Sequence, residues 1–189
     1  LEKLSQPNKL SQIKAFGGRE VQGEYLGDVY DPAILMIPDS GGDHAEWRSV
    51  AEALVSSGRH IILLSPSQRA QDGDLQPHVD DIRAVLAQMT SRPILLAAGS
   101  GVAVAVKALG KDGAHLAVGL IGVDMVADAT LLEQALPPLP SLYVAGGLNP
   151  DVTDDSAAFC QTFAGDAASA SVVRLNEDNA AELREALLG

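Results

Sequence analysis

The chain has 189 residues, 47% of them hydrophobic and 20% charged, with a mean hydropathy of +0.12. That balance excludes a disordered chain, and the length fits one domain able to bury a real core. Thirteen Lys and Arg against 25 Asp and Glu leave a net charge of −12, so the surface repels phosphate backbones and a nucleic-acid partner is not expected.

The single cysteine, Cys160, cannot close an internal disulfide or build a cysteine-based zinc site, and it fits a reducing, cytoplasmic setting. The longest uncharged apolar stretch, residues 94–106, is interrupted by Gly-Ser-Gly and is too short to span a bilayer. No charged-then-apolar signal pattern opens the chain, and a start at Leu1 rather than Met fits a processed product or a domain of a longer polypeptide.

Residues 1–14 are polar, include a proline and have weak periodicity. They read as a linker or docked arm, leaving 15–189 as one domain. From there, β-type runs alternate with helical periods. The predicted strands are Glu20–Leu26, Ala33–Pro38, His60–Ser65, Pro93–Ala98, Leu116–Val123, Ser141–Gly146 and Ser171–Leu175. The middle five are nearly continuous in Ile, Leu, Val and Ala, as parallel strands covered on both faces should be. Trp47, Val50, Ala51 and Leu54 share one helix face. Val79, Ile82, Leu86 and Met89 form a second stripe, and Ala180, Leu183 and Leu187 a third. The Ala-rich stretch Ala164–Ala170 links a helix to the last strand. This alternation predicts a doubly wound α/β fold: a mostly parallel sheet of about seven strands with helices on both faces.

Ligands of such sheets bind beyond the carboxyl ends of the strands, so the turns there carry the functional reading. The fifth-strand turn is Ala97-Ala98-Gly99-Ser100-Gly101, an apolar strand running through a Gly-Ser-Gly turn into an apolar helix. The earlier turn AILMIPDSGGDHAEWRSVAEAL carries Gly41-Gly42-Asp43 and Glu46-Trp47. Next come Ser65-Pro66-Ser67-Gln68-Arg69-Ala70, the helix HVDDIRAVLAQM, and the later turn Gly146-Gly147-Leu148-Asn149-Pro150.

In this order the turns resemble those of the α/β-hydrolases over roughly residues 17–188. The resemblance implies that fold, with no substantial cap in the short route from Val123 to Ser141. It also implies a nucleophile position at Gly99, an acid position at Asn149 and a histidine position in VVRLNEDNAAEL, near Asp178. None of the three holds the family's residue, and Pro38-Asp39 stands where the family has His-Gly. A serine hydroxyl without a base is a poor nucleophile, and a carboxylate at Asp39 has the wrong sign for an oxyanion site. The N-myc downstream-regulated proteins offer a parallel. They too combine Gly at the elbow, a small hydroxyl residue, Gly, and Asp in the oxyanion loop.

The first reading is therefore a non-catalytic hydrolase-like domain that binds a protein partner or small ligand, or serves as a structural module. Its expected pocket comprises Asp39, Ser40, Gly41, Gly99, Ser100 and Asn149, including the space freed above Gly99, where helix N–H groups attract polar or anionic groups. The competing reading is a serine esterase or thioesterase with an atypical site on Ser100, whose bland role is to begin a helix. His44 is its only histidine expected at the strand-end surface. His60 and His115 precede strands, and His78 lies near a helix start. His44 with Asp39 and Asp43 lacks a recognised ligand spacing, so no metal is expected. Nor is a cofactor, since Gly99-Ser100-Gly101 lacks the dinucleotide-binding spacing. Asp151 is the substitute acid considered, and Asn179 with Glu182 reads as a helix cap.

Overall fold

The computed structural model describes residues 11–39, 44–65, 74–126, 131, 139–145, 150–164 and 170–174. Eight strands form one sheet: β1 (Ser11–Ala15), β2 (Arg19–Leu26), β3 (Ala33–Ile37), β4 (His60–Leu64), β5 (Ile94–Ala98), β6 (Gly119–Val123), β7 (Ser141–Ala145) and β8 (Ala170–Arg174). Their spatial order is β1-β2-β4-β3-β5-β6-β7-β8. β1 pairs antiparallel with β2 and β2 antiparallel with β4; every pairing from β4 onward is parallel. The described helices are α1 (His44–Ser56), α2 (Gln76–Gln88), α3 (Ser100–Leu109), the single turn α4 (Gly113–Leu116) and α5 (Pro150–Ala164).

The continuous apolar runs follow from cover on both faces. In β3 and β4, alternate residues point to opposite sides. Ile34, Met36, Ile61 and Leu63 pack beneath α1 with Ala51, Trp47, Leu54 and Val55. Leu35, Ile37, Ile62 and Leu64 face the larger core under α2 and α3, which also takes Val79, Ile82, Leu86, Val102 and Val106. A strand exposed on one face would have needed polar residues at every second position.

Two arginines fix helices to the antiparallel side of the sheet. Arg48 of α1 reaches Glu24 of β2 at 3.1 Å and Glu52 one turn along at 3.1 Å. At the start of β2, Arg19 pairs with the buried Asp81 of α2 and donates to the Pro77 carbonyl at 3.3 Å.

Some expectations require correction. Residues 11–14, read as part of an arm, lie in the edge strand β1, in register Ser11↔Gly23 to Ala15↔Arg19. Ile13 of SQIKA is buried against the core, and one large apolar residue in five gives no readable period. Val50 is not on the buried face of α1: it is 45% exposed, while Ala51 is fully covered. Leu116 closes α4 instead of opening β6, which starts at Gly119. Cys160 is buried on α5, its sulfur 4.0 Å from that of Met125. The third helix stripe and the Asn179 cap lie outside the described residues, as does most of the route between β6 and β7. Among the described residues, no helix is long and apolar enough to cross a membrane.

Candidate functional site

The carboxyl ends of β3, β4 and β5 bring together residues far apart in sequence. β3 leads through Pro38 to Asp39, β4 through Leu64 to Ser65, and β5 through Ala98 into the turn at Gly99. The Gly99 amide donates to the Val123 carbonyl at 2.9 Å, extending the β5–β6 ladder by one bond. The chain then reverses direction at once. Gly99 has φ 53° and ψ −125°, a conformation open to glycine and strained for other residues. This is the sharp strand-to-helix turn on which an elbow nucleophile is presented. Ser100 is the first residue of α3, as the helix-start reading expected.

Gly101 is required by close approach. A Cβ built on it would stand 2.5 Å from the Ile37 carbonyl oxygen and 2.8 Å from that of Pro38. The first turn of α3 therefore lies directly against the end of β3, and that contact brings Asp39 to the elbow.

Asp39 is the central residue of the site. A Cβ placed on Gly99 would meet its carboxyl carbon at 2.7 Å, its Oδ1 at 2.9 Å and its Cβ at 3.0 Å. The direction in which an elbow side chain would project is filled. The same Oδ1 accepts the Ser100 backbone N–H at 3.1 Å and the Ser100 hydroxyl at 2.5 Å. In a G-x-S-x-G elbow, the amide following the nucleophile position serves the oxyanion hole. Here that amide is already bonded to a carboxylate of the same chain. An acidic group at a helix N-terminus is also favoured by the helix dipole.

The expectation of open space above Gly99 is thus corrected. The small side chain at position 99 coincides with a larger one swung in from position 39. The expected pocket divides accordingly: Asp39, Gly99 and Ser100 are in contact, whereas Ser40, Gly41 and Asn149 lie outside the described residues, as does Asp178. Asp43 and the His44 side chain are also outside them, and among the described residues no cluster of three His, Cys, Asp or Glu side chains is placed to hold a metal.

Ser100 also lines a partly open cavity of about 30 Å³, enough for water. Ser65, His78, Asp81 and Ser100 contribute its polar lining, with Ile37 and Val104 among its apolar walls. Among the described residues the buried Ser65 Oγ has no hydrogen-bond partner, so a water there would find an acceptor and donor in it. Burial lowers the His78 pKa below its usual value, opposed in part by the charges of Asp81 and Asp74.

His78 was the residue missed at the sequence level, where only His44 was placed at this surface. The signal was present. A helix following a parallel strand begins at that strand's carboxyl end, so first-turn residues such as His78 face the site.

No protein-family model matches the chain, and no curated protein matches it in sequence. Solved structures do match in three dimensions. A hydrolase from Pseudomonas aeruginosa PA01 superposes with a TM-score of 0.72 at 14% identity, over 97% of this chain and 98% of that one. A predicted CIB-like hydrolase from Thermoplasma acidophilum gives 0.69 at 15% identity, over 95% and 96%. The thioesterase domain from the curacin biosynthetic pathway gives 0.64 at 13%, over 96% and 100%. At these identities the likeness concerns architecture, and it extends over nearly the whole of each chain. The chain has the α/β-hydrolase fold.

Proposed function

We propose that this chain is a non-catalytic α/β-hydrolase-fold domain, acting as a binding or structural module with Gly99 at a vacated nucleophile position. One observation carries the reading: the Asp39 carboxylate fills the space over Gly99 and accepts the Ser100 amide. A substrate carbonyl polarised by that amide would have to displace a carboxylate, and its developing negative charge would meet another negative charge. Without a nucleophile at the elbow, acyl transfer loses covalent catalysis, and removing a triad nucleophile costs roughly 10⁶-fold in kcat.

A second reading keeps Ser100 as an atypical nucleophile for ester or thioester hydrolysis. Its support is that His78 lines the same cavity as Ser100, and burial favours the neutral, proton-accepting imidazole. Against it, the Ser100 hydroxyl donates to Asp39.

Exposure to a fluorophosphonate probe, with p-nitrophenyl acetate turnover measured in parallel, separates the two. The first reading expects no labelling and no turnover above the Ser100→Ala variant. Labelling and turnover that vanish in both Ser100→Ala and His78→Gln would establish the second.

A further inference from the structure

At the opposite end of the sheet, where β3 and β4 begin, lies a separate cleft of about 190 Å³. Tyr25 and Val29 enter it from the end of β2 and the turn beyond, His60 from the first position of β4, and Gln88, Thr90 and Ser91 from the end of α2 and the residues after it. The Tyr25 and His60 rings lie nearly parallel, 8° apart with centroids at 6.0 Å. His60 is only 7% exposed and its Nδ1 has no hydrogen-bond partner among the described residues, whereas Tyr25 is 49% exposed. One ring of the stack is anchored and the other is open.

Ile13, Ala33, Ile62, Val85 and Met89 give an apolar floor, and the polar lining defines the ligand. The hydroxyls of Thr90 and Ser91 and the amide of Gln88 supply hydrogen bonds, and no Asp, Glu, Lys or Arg lines the cleft among the described residues. Gln88 is the last residue of α2, so the negative end of that helix lies at the rim. With a net charge of −12 as well, anions are disfavoured and N–H donors favoured. The volume is below the ~300–1,000 Å³ of drug-sized pockets and suits one or two fused rings.

We propose that this cleft is a binding site for a small, neutral, planar nitrogen heterocycle. The ligand stacks on the Tyr25–His60 pair and donates hydrogen bonds to the polar groups around the end of α2. The site is independent of the Asp39–Ser100 end of the sheet and of whether any hydrolase chemistry survives there.

Titration of benzimidazole into the isotopically labelled full chain, followed by aromatic and amide NMR shifts, tests this directly. Saturable shifts are expected at Tyr25, His60, Thr90 and Ser91, with a Kd on the order of 1 mM. Binding should weaken about tenfold in Tyr25→Leu, which keeps apolar bulk but loses the ring. Benzoate, an anion, and cyclohexanol, a non-planar alcohol, should not saturate. Thr90→Val, at a loop position, gives a second variant and should also weaken binding. The proposal is overturned if benzimidazole leaves these signals unmoved, if benzoate or cyclohexanol binds equally well, or if folded Tyr25→Leu and Thr90→Val bind as the parent does.

Discussion

The Arg48 guanidinium on α1 reaches the carboxylate of Glu24 on β2 at 3.1 Å, and Glu24 is 4% exposed. The pair is asymmetric, since Arg48 keeps partial access to water while Glu24 does not. Removing the arginine strands a buried charge, which costs more than an exposed ion pair is worth. Arg48→Ala should destabilise by about 3 kcal/mol. Glu24→Gln should cost less, because a neutral amide needs no counter-charge. Urea unfolding of both variants checks the order.

The elbow yields a double-mutant prediction. Gly99→Ser introduces a side chain at positive φ and into the Asp39 carboxylate, for an expected loss of about 2–4 kcal/mol. Asp39→Ala removes the cap on the Ser100 amide and should cost about 1–2 kcal/mol. The double variant should be more stable than the sum predicts by about 1–2 kcal/mol, because the overlap is gone. Strict additivity would mean that the two side chains do not compete for one space.

Tyr143 gives a pH prediction. Its ring is fully buried edge-on to Phe163, and its hydroxyl lies beside Ser141. Burial pushes the phenol up to about 12. Between pH 10 and that value the unfolded chain releases a proton that the folded chain retains, so stability falls as pH rises, by up to about 2–3 kcal/mol. Tyr143→Phe should flatten the alkaline loss and change stability at pH 7 by no more than about 1 kcal/mol, the worth of its hydrogen bond with Ser141. Thermal melts across pH 8–11 are the measurement.

His78 works in the acid direction. Its folded pKa lies below 6.5, so the folded state binds fewer protons than the unfolded state as pH drops through that value. The stability it supports is complete above pH 6.5 and declines as pH falls toward the folded pKa. Titration of its imidazole by NMR should give a midpoint below 6.5, and His78→Gln should remove that part of the acid slope. A midpoint at or above 6.5 would mean that Asp81 and Asp74 outweigh burial.

Gly101 tests the seating of α3. Both atoms nearest a new Cβ are backbone oxygens of paired or adjoining strand residues, which cannot rotate aside. Gly101→Ala should therefore cost about 2–3 kcal/mol despite the good helix propensity of alanine. An exposed helix position would show the opposite sign.

Much of this architecture was legible from local chemistry. AILMI and HIILL could only be strands covered on both faces, and Gly99-Ser100-Gly101 marked the elbow with its helix start. What escaped were relationships between distant positions. The Asp39–Ser100 contact spans 61 positions, and no periodicity reports that a carboxylate swings across to cover a glycine. His78 reads correctly as a residue of a helix start, but its place at the site depends on α2 beginning at the carboxyl end of β4, which its own helix does not report. β1 was not legible because SQIKA holds one large apolar residue and no alternating run, and its ladder with β2 defines it instead.

The way Asp39 lies over Gly99 also bears on reversibility. A change of codon placing serine at position 99 would deliver its hydroxyl into a space that Asp39 occupies, with a penalty in stability. A lineage descending from this sequence would first have to vacate position 39, losing the helix cap without immediate gain. In the proposed reading the route back to a nucleophile is therefore closed to single steps, and the inactive state is held by packing as well as by the missing side chain.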